Sequence, residues 1–68
     1  MSVHLDRIRA LAPPGMSLRH IEAYMRAESG TLDTLSPDRF EAAVRVAVMG
    51  VIKGGSARAE QLAQSYGL

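Results

Sequence analysis

The chain is short, nearly neutral and free of cysteine. It has 68 residues, a formal net charge of +1 and two histidines far apart in the sequence. These features exclude disulfides and thiolate metal sites, and the small charge gives no reason by itself to expect binding to a polyanion. A domain of this size buries only about 60% of its unfolded surface. We therefore expect residues 1–68 to form one marginal domain that gains stability by associating with another chain.

Neither export nor membrane insertion is expected from the sequence. The N-terminal residues lack the apolar core of a secretory signal, and no stretch approaches the roughly 20 apolar residues that span a bilayer. The longest apolar run, 42–52, is interrupted by Arg45 and is interpreted as a core helix. Because a cysteine-free chain suits a reducing compartment, we expect a cytoplasmic location and no membrane partner.

The first predicted helix covers about Val3 to Ala12, behind an N-cap at Ser2. Two successive prolines and a glycine follow it, and proline both lacks an amide donor and disfavours helical geometry in the residue before it. The helix therefore ends at this point. Its apolar residues recur at helical spacing and indicate one buried face, formed by Leu5, Ile8, Leu11 and Ala12.

The second predicted helix begins after Ser17, whose hydroxyl is suited to accept a backbone amide of the first turn. It ends at Gly30, because glycine adopts the left-handed conformation that closes many helices. Arg19, Glu22 and Arg26 fall on the side away from the apolar stripe. Spacings of three and four residues predict that Glu22 pairs with both arginines.

The third predicted helix carries the strongest start signal in the chain. Ser36 is suited to the N-cap position and Pro37 to the first helical position, and the pattern continues to about Lys53, where Gly54 and Gly55 close it. The predicted buried face of this central apolar helix consists of Phe40, Ala43, Val44, Ala47, Val48, Val51 and Ile52. Gly50 adds a flat edge for close approach of a neighbouring helix.

A fourth helix is predicted from about Ser56 to Tyr66, with Gly67 as its stop. The fold class is therefore all-α, a small bundle of three to four short helices around the helix at about 37–53. The segment 58–68 also matches the first half of a helix-turn-helix, with a small Ala63 and a glycine four residues later. The recognition helix of that motif is missing, and a glycine C-cap followed by an apolar residue explains the pattern equally well.

The outer face of the third helix is less polar than a solvent-exposed face should be. Ala42, Val46 and Met49 form an apolar strip on it, and the strip is rimmed by Arg39, Arg45 and Lys53. The strip is explained by scattered surface residues, by cover from the fourth helix, or by a second contact surface for a dimer or partner. These six residues are the predicted partner-binding site.

The sequence offers no constellation for catalysis and no cofactor motif. We therefore expect a small, non-enzymatic protein-interaction module of bacterial or phage type, an adaptor, inhibitor or regulator that binds itself as a homodimer or binds another protein. The alternative is a nucleic-acid-binding regulator with phosphate contacts from Arg7, Arg9, Arg19, Arg26 and Arg58. His4 is interpreted as a partly buried packing residue and His20 as a solvated one.

Overall fold

The computed structural model describes residues 3–68 and contains three α-helices. They are α1 at Val3–Leu11, α2 at Leu18–Ser29 and α3 at Pro37–Ser65. No strand occurs within this part of the chain. The all-helical bundle is thereby confirmed, while the predicted Ser2 cap lies outside the described residues.

The third and fourth predicted helices join into α3, but the chain changes direction inside it. Gly55 has φ 80° and ψ 165°, which is not a helical conformation. This combination is open in practice only to glycine. Gly55 therefore divides α3 into a first limb, 37–54, and a second limb, 56–65, close to the predicted boundary between two helices.

The predicted helix starts are confirmed by their caps. The backbone N–H of His20 donates to the Ser17 hydroxyl at 3.4 Å, and that of Arg39 donates to the Ser36 hydroxyl at 3.3 Å. At the end of α2, the N–H of Gly30 donates to the Arg26 carbonyl at 2.9 Å. These bonds satisfy backbone groups that helix ends leave unpaired, so local sequence fixes these boundaries.

The core lies between α2 and the first limb, and α1 closes one side of it. Its fully buried members are Ile8, Ile21, Met25, Leu32, Phe40, Val44 and Ala47. Most of the predicted buried face of the third helix is confirmed, but Ile52 is 67% exposed. Ile52 lies on the flank of the helix, well round from Val44 and Ala47, and only three residues before the break at Gly55.

Phe40 is held in place by two side chains of α1. The Arg7 guanidinium lies 3.8 Å from the ring centroid, and the His4 ring stacks on the same aromatic ring at 6.3 Å. The His4 Nε2 atom is 2.8 Å from the Asp33 carboxylate, which lies in the loop before α3. His4 is thus a packing residue, as predicted, and it ties α1 to the α2–α3 loop.

Tyr24 of α2 occupies the space beside two glycines of the first limb. A Cβ atom added at Gly50 would lie 2.8 Å from the Tyr24 ring, and one added at Gly54 would collide with the Tyr24 hydroxyl. Non-bonded carbon atoms normally stay about 3.5 to 4.0 Å apart. Gly50 was predicted to allow close approach of a neighbouring helix, and in the structure the Tyr24 ring of α2 lies against it.

Candidate interaction surface

All six predicted partner-binding residues are exposed on the outer face of the first limb. Val46 is 52% exposed and Met49 55%, and the neighbouring Ile52 extends the apolar strip. The second limb packs on α2 through the buried Ala59 and Ala63, so it does not cover the strip. Of the three explanations left open by the sequence, cover by the fourth helix is thereby removed.

Five of these residues follow one another along a single line of the helix. Arg39, Ala42, Val46, Met49 and Lys53 are separated by alternating steps of three and four residues. This is the heptad spacing of a helix surface that packs lengthwise against a second helix. We call this line the outer seam. It has an apolar centre and one cation at each end.

Arg45 lies beside the seam and is already paired. Its guanidinium donates to the Glu41 carboxylate at 2.7 Å, one helical turn earlier. The two end cations differ from it, because within the described residues no carboxylate lies at ion-pair distance from Arg39 or Lys53. Their charges therefore remain available to a partner.

A groove opens beside the N-terminal half of the outer seam, where the end of α2 passes the first limb. Its volume is ≈ 420 Å³. It is lined by Glu28, Ser29, Leu35, Arg39, Ala42, Ala43 and Val46. The apolar members form a recess next to the Arg39 cation, so a bulky apolar side chain and an acidic one could be accepted side by side.

A polar cluster joins the start of α2 to the second limb. The Arg19 guanidinium donates to both Glu60 carboxylate oxygens, at 2.6 Å and 2.9 Å. The His20 Nε2 lies 2.9 Å from the same carboxylate, and Arg19 also donates to the Leu68 carbonyl at 2.7 Å. We call Arg19, His20 and Glu60 the inner cluster.

The inner cluster stabilises the ionised form of its carboxylate. Hydrogen bonds from Arg19 and then from His20 lower the pKa of Glu60 to about 2. The same contact raises the pKa of Arg19. Sequence reasoning missed this cluster, because its members are some 40 residues apart and meet only through the packing of the second limb on α2. His20, expected to be solvated, is instead partly buried.

Glu22 pairs with one arginine where two were predicted. Glu22 is 4% exposed, and its carboxylate accepts a hydrogen bond from Arg26 at 3.0 Å. Arg19 instead binds Glu60, and its guanidinium makes a bidentate contact with that carboxylate. Bidentate ion pairs are stronger than pairs with a single hydrogen bond, so Arg19 pairs with the distant Glu60 and not with the nearby Glu22.

A second recess of ≈ 460 Å³ lies between the ends of the chain and α2. Its charged side chains are Arg19 and Glu22, and both are engaged by Glu60 and Arg26 respectively. Little remains there to orient a ligand. Over residues 3–68 no group of three histidine or acidic side chains is placed to hold a metal ion.

The helix-turn-helix pattern corresponds to a helix end in the structure. The N–H of Gly67 donates to the Gln64 carbonyl at 3.0 Å, and that of Leu68 donates to the Ala63 carbonyl at 2.8 Å. These two bonds define a Schellman cap, in which the glycine has positive φ. The pattern in 58–68 is therefore explained by helix termination.

Four of the five arginines considered as phosphate contacts have partners within the protein. Arg9 pairs with Asp6 at 3.2 Å, Arg7 covers an aromatic ring, and Arg19 and Arg26 bind buried or half-buried carboxylates. A phosphate would have to displace these contacts. The five arginines are also distributed over all three helices.

Within the described part of the chain, no helix is both long enough and apolar enough to cross a lipid bilayer. Comparison of the sequence with protein-family models and curated proteins, and of the fold with solved structures, found no match.

Proposed function

We propose that the chain is a non-enzymatic protein-interaction module, an adaptor, inhibitor or regulator that binds a protein through the outer seam. One observation carries the proposal: Val46, Met49 and Ile52 lie together on one helix face, each more than half exposed. Isolated exposed apolar residues are common, but a contiguous patch rimmed by charge is typical of a binding surface.

The small size of the protein supports the same conclusion. Among the described residues, the main buried cluster consists of seven side chains, and these include the small Val44 and Ala47. A chain that builds so small an interior gains from burying further apolar area against a partner. Truncating an apolar side chain at the centre of such an interface costs about 1 to 3 kcal/mol of binding, while a rim charge acts more on association rate.

The partner is a protein chain, either a second copy or a different protein, and the setting is the cytoplasm. A cysteine-free sequence suits a reducing compartment. A nucleic acid fits less well, because it would leave the apolar centre of the seam uncovered. If generic duplex DNA bound with an affinity that fell steeply with salt, the nucleic-acid alternative would replace this proposal.

Site-specific photocrosslinking tests the proposal in cells of the source organism. A photoreactive amino acid replaces Met49 in one variant and, as a matched control, Gln61 in another. Gln61 is exposed on the second limb, away from the seam. We expect a discrete protein adduct from position 49 and none from position 61.

A further variant carries the photoreactive amino acid at Val46 together with Met49→Asp, which should remove the apolar contact at the centre of the seam. Because Met49 is exposed, the substitution should change the stability of the isolated protein by no more than about 0.5 kcal/mol. The adduct should nevertheless disappear. Equal adducts from the seam and from position 61, or no adduct from the seam, would refute the proposal.

A further inference from the structure

We infer that the outer seam binds a helix of a different protein, one that is apolar in the middle and acidic at both ends. The inference rests on the proposed function and adds the chemistry of the partner. It follows from the order of side chains along the seam, where an apolar centre at Ala42, Val46 and Met49 lies between two cations.

The two cations are the parts of the seam that select a partner. Arg39 and Lys53 are exposed, and within residues 3–68 neither has a carboxylate at ion-pair distance. The nearby Arg45 shows the contrast, since Glu41 already neutralises it. A helix lying along the seam would bring its own side chains to both cations, and carboxylates there would form ion pairs as the apolar centre becomes buried.

The same charges disfavour a second copy of this chain as the occupant. If two copies pair in parallel along the seam, Arg39 meets Arg39 and Lys53 meets Lys53. If they pair antiparallel, each Arg39 lies near the Lys53 of the other copy. Both orientations place like charges at both ends of the interface, and such contacts are a usual device against wrong partners.

The groove beside Arg39 adds a place for one large apolar side chain of the partner helix. Its recess is formed by Leu35, Ala43 and Val46 between α2 and the first limb. Two acids belong to this end of the seam. Glu28 lines the groove, and Asp38 is in the first turn of α3, where the positive end of the helix dipole stabilises its charge. A helix that anchors here and runs along the seam reaches Lys53 about 21 Å further on, at 1.5 Å per residue.

Fluorescence anisotropy with two designed peptides tests the inference. Each peptide is a labelled amphipathic helix of about five turns with three leucines at the spacing of the seam. One carries a glutamate at each end of the leucine line, and its matched control carries a lysine there. We expect the full chain to bind the glutamate peptide at least about tenfold more tightly, since two ion pairs replace two like-charge contacts.

Charge reversal in the protein provides the second arm. Arg39→Glu combined with Lys53→Glu should invert the preference, so that the lysine peptide binds more tightly. Arg58→Glu, an exposed cation on the second limb, should leave the preference for glutamate unchanged. These two outcomes together support charge selection at the ends of the seam.

Three results would overturn the inference. They are equal binding of the two peptides, binding of neither, and displacement of the glutamate peptide by duplex DNA at a lower concentration than by unlabelled peptide. Each of these is separate from the crosslinking result at position 49. A positive crosslink with no charge preference would leave the interaction module in place and reject only the acidic helix.

Discussion

The two limbs of α3 use their charged and apolar residues in different ways. On the second limb, Glu60 is bound by Arg19 and His20, and the small Ala59 and Ala63 bring the limb close to α2. On the outer face of the first limb, large apolar side chains are exposed, and Arg39 and Lys53 have no ion-pair partner among residues 3–68. The second limb is held by contacts within the protein. The outer face of the first limb stays exposed and is suited to contact with another chain.

The difference between the limbs depends on the turn at Gly55. If α3 continued straight, the second limb would leave α2, and Glu60 would lose its partners. The turn returns the second limb to α2, where Arg19 and His20 contact Glu60, and leaves the outer seam uncovered. The first limb therefore packs its core face on α2 and leaves its opposite face, the outer seam, exposed, whereas the second limb packs on α2 after the break.

Gly55→Ala should have the largest effect on stability, because it changes the residue at the turn between the two limbs. An L-residue at φ 80° and ψ 165° is strained, at a cost of about 1 to 3 kcal/mol in the free energy of unfolding. We expect a lower midpoint in urea denaturation followed by circular dichroism. An alanine that raised the midpoint would contradict the role assigned to this turn.

A chemically synthesised chain with D-alanine at position 55 is the matched control. D-Alanine adopts positive φ without strain and reduces the freedom of the unfolded chain relative to glycine. Its stability should equal or exceed that of the glycine protein by up to about 1 kcal/mol. If both enantiomers destabilised equally, the added methyl group and not the backbone angle would be responsible.

Gly50→Ala probes the boundary between the first limb and α2. Alanine is favoured over glycine inside a helix by about 1 kcal/mol, but here its Cβ would lie 2.8 Å from the Tyr24 ring. Overpacking costs typically about 1 to 3 kcal/mol, so we expect a net loss of stability by urea denaturation. In a Tyr24→Ala background the same change should become stabilising, and an unchanged sign there would show that the ring is not the cause.

Glu60→Gln tests the contribution of the inner cluster on the second limb to stability. The pKa of Glu60 is lowered from an ordinary 4.5 to about 2 by Arg19 and His20. A carboxylate with a lowered pKa stabilises the fold above pH 4.5, and the contribution is lost as the pH falls from there through 2. We expect urea midpoints of the parent protein to fall over this interval.

The glutamine variant should lose part of that acid dependence, because it has no charge to titrate. Glu41→Gln is the matched control. Glu41 pairs only with the exposed Arg45, and such surface pairs contribute little. If the two variants had identical pH profiles, the inner cluster would not be the source of the acid dependence.

Lys53→Glu should have the smallest energetic effect, because it changes one exposed charge on the outer face of the first limb. In an antiparallel pair of copies, Glu at position 53 would face Arg39 of the other copy and turn two repulsions into two attractions. Exposed pairs contribute about 0.2 to 1 kcal/mol each, so we expect a modest rise in self-association by sedimentation. Adding Arg39→Glu should reverse the gain, and a parent protein that dimerises as strongly as Lys53→Glu would contradict the argument from like charges.

Local sequence signals predict most of the fold and the exposed face of the first limb. The sequence predicts the caps at Ser17 and Ser36, the stops at Gly30 and Gly67, and a helix boundary at 54–55, and the structure has all of them. They act through bonds and torsions within about five residues, which the sequence displays directly. The exposed face at 39–53 follows from helical periodicity in the same way.

The inner cluster and the partners of its residues were decided only by the tertiary structure. The sequence assigned Arg19 to Glu22 and left His20 in solvent, while the fold joins both to Glu60. The sequence pattern also predicted Ile52 to be buried, but in the structure it is exposed on the flank of the helix just before the break at Gly55. Pairs of this kind depend on the angle at which two helices meet, and that angle results from packing the whole chain, so no short segment encodes it.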